Sequence, residues 1–463
     1  MRIQTLWAMP MFRPTKESGL NHLISLSSIF LKPSIRNFLF FIVFFVSCYQ
    51  TSAQTISKHS SPALSVATTD EGMSAERLLR IDAMLKEAIS DKEIPGAVAL
   101  IARNGKIVFH NAYGMADNKS RKTMEKDAIF RIASQTKAIT STAVMILWEE
   151  GKFRMDDPIS KYLPEFGKAQ ILDTFNESDS TYSTKPAENQ ITIRHLITHT
   201  SGIGYGMIDG DDRFRKIYQK AKVVDAFTSK DISIGDNIKK LAQLPLHHEP
   251  GEKFTYSEGL DVLGYFVEVV SGMPFDEFLR TRIFDPLGMN DTWFYLPKKK
   301  HDRLVSVQSK NDGKWKRFED SRFEIDYPIR GAKRFFSGGA GLSSTAKDYA
   351  TFLQMYLNEG ELNGERILSR TTIQSIMGNQ TGDKFGDGLE YYGLAFGVVT
   401  SNGQDAGGQG STGTFDWGGY FNTQYFADPV ENIIGILMKQ TQGPVDDNTG
   451  WRFRQMVFSA IDD

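Results

Sequence analysis

The sequence predicts an α+β fold, in which an antiparallel sheet is flanked by helices and an all-helical subdomain is inserted between its strands. Three observations support this prediction. A helical pattern and a pair of strand-like runs open the domain, helical patterns dominate from about 129 to 300, and strand-like runs with a closing helix follow. We therefore assign 74–463 to one folded domain and about 129–300 to the subdomain.

The domain begins with an amphipathic helix, because apolar residues follow helical spacing from Ala75 until shortly before Pro95. Two strand-like runs, 96–101 and 106–110, come next, and the Asn-Gly dipeptide between them is a strong signal for a hairpin turn. The remaining predicted elements are a helix at 346–357, strands at 418–426 and 433–439, and a final helix at about 450–461.

Two polar interruptions of the helical segment, 175–189 and 204–212, are predicted to be long loops. Insertions of this size usually shape a site or are mobile. No internal repeat is found in the sequence.

Composition and charge limit the possible functions. With 463 residues, of which 40% are hydrophobic and 12% aromatic, the chain can bury a large core. Its net charge of −2 leaves no basic surplus to neutralise phosphates. Nucleic acid is therefore not an expected partner.

Residues 1–53 are predicted to be a secretory signal peptide. The apolar run 38–46 is short for a membrane span, basic residues precede it, and small residues follow it up to a cleavage position after Ala53. The protein is then periplasmic or secreted, and 54–73 is a Ser/Thr-rich linker. Two alternatives stay open: an uncleaved segment would anchor the chain in a membrane, and translation could begin at an internal methionine.

Cys48 is the only cysteine, and it follows the apolar run in a context that loosely resembles a lipoprotein cleavage site. Lipidation of Cys48 would be a second route to membrane attachment. If Cys48 is removed with the signal, the mature protein has no thiol, which excludes disulfides, thiolate zinc sites and cysteine nucleophiles.

The segment Ser134-Gln135-Thr136-Lys137 carries a candidate nucleophile and a candidate base. A serine and a lysine three residues apart on a helix share one face, so the amine can reach the hydroxyl. A helix N-terminus would place free amides beside Ser134, and Lys137 has to be neutral to accept a proton. The same spacing recurs at 344–347, where we interpret it as a helix cap because a threonine precedes Asp348 by three residues.

Two later segments supply the remaining chemistry. Tyr256 lies at the mouth of a predicted helix, where a tyrosine can relay a proton to or from Ser134. Trp417-Gly418-Gly419 begins a predicted strand, and its glycines let a substrate lie close to the backbone. The amide of Tyr420 would join the amide of Ser134 in an oxyanion hole.

No metal or cofactor is expected. His195 and His199 are four residues apart in a helical run, but the zinc protease motif requires Glu after the first His, and this chain has Leu196. Both histidines are therefore interpreted as structural. No G-x-S-x-G motif occurs in the sequence, so an α/β-hydrolase nucleophile is not supported.

These motifs together identify the chain as similar to a known family. The segments that carry the resemblance are 134–137, 196–203, 256–258, 284–290, 338–345 and 417–419. From about Ala75 to Ile461 the chain resembles the serine β-lactamase-related hydrolases, the class C-like branch that includes family VIII carboxylesterases, D-aminopeptidases and DD-carboxypeptidases. The resemblance implies a β-lactamase/transpeptidase-like fold, with Ser134 as the acylated nucleophile and Lys137 and Tyr256 as the acid/base pair.

Two departures from the family pattern bear on the substrate. Where β-lactamases usually have Asn two residues after the tyrosine, this chain has Glu258. Where they have a lysine before Thr-Gly, it has Trp417, as the esterase-like members do. Both changes remove groups suited to penicillins. Glu258 could instead pair with Lys137 and hold it protonated, which would favour Tyr256 as the base.

The sequence therefore predicts an exported, metal-independent serine hydrolase that cleaves small esters or amides through an acyl-enzyme. One alternative is a D-Ala-type peptidase or a β-lactamase that acts on cell-wall-related substrates. An alternative of another class is a non-catalytic protein that binds peptides or peptidoglycan. The intact set of Ser134, Lys137 and Tyr256 speaks against that last alternative.

Overall fold

The computed structural model of the chain describes residues 63–320, 322–443 and 447–463. Its strands are β1 (Ser65–Val66), β2 (Gly96–Arg103), β3 (Lys106–Asp117), β4 (Lys122–Thr123), β5 (Phe130–Arg131), β6 (Gln170–Phe175), β7 (Tyr182–Pro186), β8 (Gln308–Asn311), β9 (Lys314–Arg317), β10 (Ser343–Ser344), β11 (Glu361–Leu362), β12 (Glu365–Arg366), β13 (Glu390–Tyr392), β14 (Gly397–Val399), β15 (Phe415–Gly419), β16 (Thr423–Asp428) and β17 (Ile433–Met438). Its α-helices are α1 (Ala75–Ser90), α2 (Thr136–Glu149), α3 (Ile193–Ile197), α4 (Asp212–Ala221), α5 (Ile234–Leu241), α6 (Gly259–Ser271), α7 (Phe275–Leu279), α8 (Asp285–Leu287), α9 (Tyr327–Arg330), α10 (Ala346–Leu357), α11 (Arg370–Met377), α12 (Ser401–Ala406) and α13 (Thr449–Ser459).

Nine of the described strands form one sheet. Their order is β1-β3-β2-β17-β16-β15-β14-β13, and β4 also pairs with β3. β1 runs parallel to β3, whereas the other pairs of this sheet are antiparallel. The strands from the two ends of the chain meet where β2 pairs with β17. The predicted α+β class, an antiparallel sheet flanked by helices, is confirmed.

The hairpin predicted at the start of the domain is present. β2 pairs antiparallel with β3, and Asn104 and Gly105 between them have φ values of 53° and 73°. Asn and Gly tolerate this left-handed conformation, which a tight hairpin turn requires. β3 continues to Asp117, beyond the predicted end of the strand.

The prediction of one continuous strand at 418–426 is wrong. The chain forms two antiparallel strands there, β15 and β16, joined by a turn in which the amide of Asn422 donates to the carbonyl of Gly419 at 2.8 Å. Asn422 has a φ of 70°, a conformation that Asn adopts more readily than most residues. The pattern missed the turn because Tyr420 and Phe421 continue the aromatic, strand-like sequence through it.

The inserted segment 129–300 is mainly helical rather than all-helical. Strands β6 and β7 form a separate two-stranded antiparallel sheet, so the interruption predicted as a loop at 175–189 contains β7. Every residue of β7 is exposed, so no alternation of apolar residues marked this strand in the sequence. The interruption at 204–212 contains a short 3-10 turn, Gly206–Ile208, and ends at the first residue of α4.

Apolar side chains cover both faces of the sheet. Val98 and Leu100 of β2 belong to a large core that includes residues of α2, α6 and α10. Ala99 and Ile101 of the same strand belong to a second core with α1 and α13. Since successive side chains of a strand point to opposite faces, β2 is an interior strand that lies between two helical layers. The site described below lies at the start of α2, in the layer with the larger core.

Several predictions concern the N-terminus. The predicted signal peptide, 1–53, and Cys48 lie outside the described residues. Part of the predicted linker 54–73 is described, and there β1 pairs with β3. None of the described helices is long and apolar enough to cross a membrane.

Candidate active site

Ser134 lies in a tight 3-10 turn, Ala133–Gln135, immediately before helix α2. Ala133 has a φ of 43°, a left-handed conformation that is costly for a residue other than glycine. The turn is held from outside, because the hydroxyl of Tyr349 donates to the carbonyl of Gln135 at 3.0 Å. The half-buried Ser134 is thus presented at a helix N-terminus, where the sequence placed it.

The amine of Lys137 is fully buried one helical turn after Ser134. Lys137 Nζ donates to the carbonyl of Gly339 at 2.8 Å, and it lies 3.1 Å from the Tyr205 hydroxyl and 3.4 Å from Ser134 Oγ. The predicted contact between the serine and the lysine is therefore present in the structure.

Two tyrosine rings pack against Lys137. The rings of Tyr205 and Tyr256 are stacked, with centroids 5.2 Å apart and planes inclined by 14°. Lys137 Nζ lies 4.6 Å from the centroid of Tyr256 and 4.9 Å from that of Tyr205. On the outer side, the indole N–H of Trp417 donates to the Tyr256 hydroxyl at 3.4 Å. The structure thus brings together four of the residues that the sequence singled out: Ser134, Lys137, Tyr256 and Trp417.

Tyr205 belongs to this group but was not predicted. It lies in the interruption 204–212 and is only 7% exposed. Its backbone N–H donates to Asp209 Oδ2 at 2.8 Å, which folds the loop back toward the site. No spacing rule points to this tyrosine. The one available signal was its position two residues after the motif 196–203, in a segment expected to shape a site.

His199 supports Tyr256 from behind. The ring of His199 packs 4.6 Å from the ring of Tyr256, and its Nδ1 accepts from the amide of Ser257 at 3.2 Å and lies 2.9 Å from Ser257 Oγ. Burial, together with the charge of Lys137, lowers the pKa of His199 well below its ordinary value. His199 is therefore neutral near pH 7 and fixes the position of Tyr256.

Glu258 does not pair with Lys137, and that expectation is wrong. The carboxyl of Glu258 is 3% exposed and lies beside Asp225 and Asp261. Burial raises the pKa of Glu258 well above its ordinary value, and the neighbouring carboxyl of Asp225 raises it further. The amide of Glu258 donates to the carbonyl of Gly204 at 3.0 Å at the start of α6. Its surroundings thus favour the protonated form of Glu258, which is buried behind the site.

The end of strand β15 touches the turn that carries the nucleophile. A Cβ added to Gly419 would lie 2.5 Å from the carbonyl oxygen of Ile132, two residues before Ser134, so only glycine fits there. Gly418, in contrast, is exposed and has space for a Cβ. In the described part of the chain, the backbone N–H of Tyr420 donates to no other residue. It is available to bind an oxyanion.

Aromatic side chains form two walls around the site. On one side, Trp417 packs 5.3 Å from Tyr392 and 6.2 Å from Phe385, measured between ring centroids. On the other side, the ring of Tyr420 packs 5.8 Å from Phe323 and 6.0 Å from Phe227. Tyr392, Phe323 and Phe227 are themselves buried. A substrate between these walls would therefore meet the half-buried rings of Trp417, Phe385 and Tyr420.

The other singled-out residues have structural roles. His195 caps helix α3, since its N–H donates to Thr192 Oγ1 at 3.1 Å and its Nδ1 accepts from the Thr192 amide at 3.3 Å. In the segment 344–347, Thr345 Oγ1 accepts from the amide of Asp348 at 3.1 Å and caps α10. Among the described residues, no three His, Cys, Asp or Glu side chains are grouped so that they could hold a metal ion.

Comparison with known proteins agrees with this geometry. The Beta-lactamase family model matches residues 81–457. Esterase EstB of Burkholderia gladioli is 30% identical over 384 residues, which cover 78% of this chain and 90% of EstB. A putative D-alanyl-D-alanine carboxypeptidase of Escherichia coli (strain K12) is 27% identical over 435 residues, 89% of this chain and 92% of that protein. The solved structure of EstCE1, a hydrolase with promiscuous acyltransferase activity, matches with a TM-score of 0.69 and 26% identity, over 84% of this chain and 99% of EstCE1.

The family match spans most of the chain, and the solved structures share its architecture. The chain therefore belongs to the Beta-lactamase family and is a serine hydrolase with a β-lactamase/transpeptidase-like fold. The resemblance inferred from the motifs is confirmed.

Proposed function

We propose that this protein is an exported hydrolase that cleaves small esters, and amides as a second class, through an acyl-enzyme on Ser134. The observation that carries the proposal is the position of Lys137 Nζ, 3.4 Å from Ser134 Oγ and 4.6 Å from the centre of the Tyr256 ring. Trp417 lies beside them, at the position where β-lactamases have a lysine, and its indole N–H donates to the Tyr256 hydroxyl.

The proposed reaction has two steps. A base takes the proton of Ser134 while Oγ attacks the ester carbonyl, and the amides of Ser134 and Tyr420 stabilise the oxyanion that forms. When the tetrahedral intermediate collapses, the C–O bond of the ester breaks, and the departing alcohol takes the proton from the base. Water then attacks the acyl-enzyme and gives one proton to the same base. As the bond between the acyl carbon and Ser134 Oγ breaks, the base returns this proton to Oγ, and the acid is released.

We assign the role of base to Tyr256. The partners of Lys137 Nζ are the Gly339 carbonyl, the Tyr205 hydroxyl and Ser134 Oγ, and the three N–H bonds of an ammonium would satisfy all of them. A positive charge at this position stabilises negative charge on the Tyr256 oxygen during the reaction, and the indole N–H of Trp417 donates to the same oxygen. Lys137 then acts through its charge.

The walls of the site favour apolar ester substrates. The half-buried rings of Trp417 and Phe385 lie on one side, and the half-buried ring of Tyr420 lies on the other. Glu258 is buried behind Tyr256 and does not replace the amide-binding Asn of β-lactamases. Both features support substrates without a carboxylate or a peptide amide next to the scissile bond. The esterase EstB, which is similar to this chain, supports the same class.

The first alternative is a D-Ala-type peptidase or a β-lactamase, supported by the similarity to a putative D-alanyl-D-alanine carboxypeptidase. The two functions are separated by comparing kcat/KM for p-nitrophenyl butyrate, a D-Ala-D-Ala peptide and a penicillin. Preference for the peptide or the penicillin would reject the esterase assignment. A non-catalytic binding protein would bind such compounds without releasing product.

Acylation of Ser134 is tested with a fluorophosphonate probe. We expect one adduct, which peptide mass spectrometry places on Ser134, and no adduct in Ser134→Ala. The matched control is Ser344→Ala, in the second segment with the same spacing, and it should label normally. Labelling that survives in Ser134→Ala would reject the nucleophile.

Export is the part of the proposal that rests on sequence alone. The support is the apolar run 38–46 with its basic and small flanking residues. The test is to fractionate cells that produce the full chain and to measure the mass of the mature protein. We expect cleavage after Ala53. A Cys48→Ser variant that changes the mass by more than the substitution would instead reveal lipidation, and an intact cytoplasmic chain would reject export.

A further inference from the structure

A buried ion pair lies directly behind the turn between β15 and β16. Lys439 and Asp447 have side chains that are only 1% and 4% exposed, and Lys439 Nζ lies 2.6 Å from Asp447 Oδ2. The removal of two charges from water is costly, so a buried pair is weak evidence for stability alone. The contacts of the pair with its neighbours are therefore a better guide to its role.

The ion pair is linked to the turn through Asn422. The side-chain amide of Asn422 donates to Asp447 Oδ2 at 2.8 Å and to Thr441 Oγ1 at 3.0 Å. The other oxygen of Asp447 accepts from the amide of Thr449 at 3.0 Å, and Lys439 Nζ also lies 2.9 Å from Thr449 Oγ1. The pair thus joins the turn, the residue that follows β17 and the first residue of α13.

The same turn is also tied by its backbone. The amide of Lys439 donates to the carbonyl of Asn422 at 3.3 Å, and the amide of Thr441 donates to the carbonyl of Phe421 at 3.0 Å. Asn422 itself is held in the left-handed conformation, with a φ of 70°. These contacts fix both carbonyls on the far side of the turn, while the N–H of Tyr420 stays without an acceptor among the described residues.

The position of this turn matters for the reacting centre. Gly419 touches the carbonyl of Ile132, two residues before Ser134, so the turn and the nucleophile are in direct contact. An oxyanion donor works only when its N–H is held within hydrogen-bond distance of the developing charge, and a small displacement removes most of its effect.

We propose that the Lys439–Asp447 ion pair is a positioning device that acts through Asn422 to hold the N–H of Tyr420 at the oxyanion. The inference rests on the proposed function, which gives Tyr420 that role. Lys439, Asp447 and Asn422 are positioning residues, because none of them contacts the reacting atoms.

The test uses two variants that remove the link in different ways. Asn422→Gly keeps the left-handed backbone but removes the side-chain amide. The double variant Lys439→Met/Asp447→Leu removes both charges, so that no unpaired charge stays buried. The control is Arg103→Met, which removes another buried cation, 7% exposed, from its pairs with Glu431 and Asp463. Steady-state kinetics with p-nitrophenyl butyrate and thermal unfolding are measured for all of them.

We expect kcat to fall by about 10- to 100-fold in both test variants, below the roughly 10²- to 10³-fold loss that removal of a whole oxyanion donor causes. KM should change by less than about threefold, because the donor acts mainly in the transition state. The rate of inactivation by the fluorophosphonate probe should fall in parallel. Arg103→Met should lower Tm but leave kcat unchanged.

Two outcomes would overturn the inference. If Asn422→Gly retains the wild-type kcat, or if the variants lose only Tm as Arg103→Met does, the ion pair is structural. If wild-type protein neither hydrolyses the ester nor labels at Ser134, the proposed function fails and this inference fails with it. The Asn422→Gly variant keeps the test decisive if the double variant does not fold.

Discussion

Lys137 shows how individual residues of this site depend on one another. Its partners are a carbonyl, two hydroxyls and two aromatic faces, and the nearby acid Glu258 is turned toward Asp225 instead. Aromatic faces attract a cation more strongly when water is excluded. The amine of Lys137 is therefore held against Tyr256 and Ser134.

The hydroxyl of Tyr205 is predicted to contribute to turnover through Lys137. Tyr205→Phe keeps the ring stacked on Tyr256 but removes a hydrogen bond of 3.1 Å to the amine. Because a hydrogen bond to a charged group is worth about 1.5–3 kcal/mol, we expect kcat to fall by roughly 10- to 100-fold. Steady-state kinetics with p-nitrophenyl butyrate measure this change.

The control for this change is Tyr391→Phe, which removes a tyrosine hydroxyl that donates to the carbonyl of Met377 at 2.9 Å. We expect it to leave kcat unchanged. Equal kcat values for Tyr205→Phe and the wild type would contradict a role of this hydroxyl in the reaction.

At the scale of elements, the site is formed where strand β15 and helix α2 meet. The last residue of β15, Gly419, lies against the backbone that leads into α2, whereas its neighbour Gly418 is exposed. The contact is between backbones, so neither side can yield by changing a rotamer.

This contact predicts opposite responses to the same substitution at adjacent positions. Gly419→Ala would place a Cβ against Thr423 Oγ1 and 2.5 Å from the carbonyl oxygen of Ile132, and we expect it to lower both Tm and kcat. Gly418→Ala would place a Cβ no closer than 3.6 Å to the carbonyl of Thr423, and we expect little change in Tm. Thermal unfolding and ester hydrolysis are measured for the two variants. If Gly418→Ala and Gly419→Ala lose equal amounts of Tm and kcat, the close packing at Gly419 does not constrain the site.

The loop 204–209 is the second element that defines the site, and two carboxyls hold it. Asp209 Oδ2 accepts from the amide of Tyr205 at 2.8 Å, and Asp225 Oδ2 accepts from the amide of Met207 at 3.2 Å. Burial raises the pKa of Asp225 to about 6, although Glu258 and the Met207 amide act in the opposite direction.

The raised pKa of Asp225 predicts how stability depends on pH. An unfolded aspartate loses its proton near pH 4, whereas native Asp225 keeps it until about pH 6, so the native state binds more protons between these values. The contribution of Asp225 to stability therefore falls as pH rises through this window. Asp225→Asn removes the titration. We therefore expect the difference in Tm, variant minus wild type, to be larger at pH 7.5 than at pH 4. Equal differences in Tm at the two pH values would contradict the prediction.

At the scale of the whole molecule, the two ends of the domain are joined in one sheet. β2 from the N-terminal part pairs with β17 from the C-terminal part along six residue pairs. Helices α1 and α13, from the same two ends, cover one face, and the helices that carry the site cover the other. The site therefore depends on a core to which both ends contribute.

Because β2 is buried on both faces, truncation of one of its side chains is predicted to cause a large loss of stability. Leu100 is fully buried in the larger core, and Leu100→Ala should lower the free energy of unfolding by about 2–5 kcal/mol. Val430 is 67% exposed in the turn between β16 and β17. Val430→Ala should change the free energy of unfolding by less than about 0.5 kcal/mol. Denaturant unfolding measures both values. A small loss for Leu100→Ala would mean that the core closes around the missing side chain.

The parts of the fold that were predictable are those set by neighbours in the sequence. The Asn104-Gly105 turn, the cap at Thr345 and the helical spacing of α1 each depend on residues within a few positions of one another. The turn at Asn422 and the exposed strand β7 were missed, because aromatic residues masked the first and the second carries no apolar alternation. Pairing with β6 determines the conformation of β7, whereas at Asn422 the left-handed preference of a single residue was outweighed in the pattern by its aromatic neighbours.

Short motifs were enough to predict the chemistry: a serine and a lysine one helical turn apart, a tyrosine before a helix, and a glycine-rich strand end. The groups that surround these residues, in contrast, depend on the tertiary structure. It placed Tyr205 on Lys137, turned Glu258 toward Asp225, and set the ion pair of Lys439 and Asp447 behind the turn that carries Tyr420. The physical reason is that spacing along a helix is fixed by local backbone geometry, whereas contacts between distant segments depend on how the whole core packs.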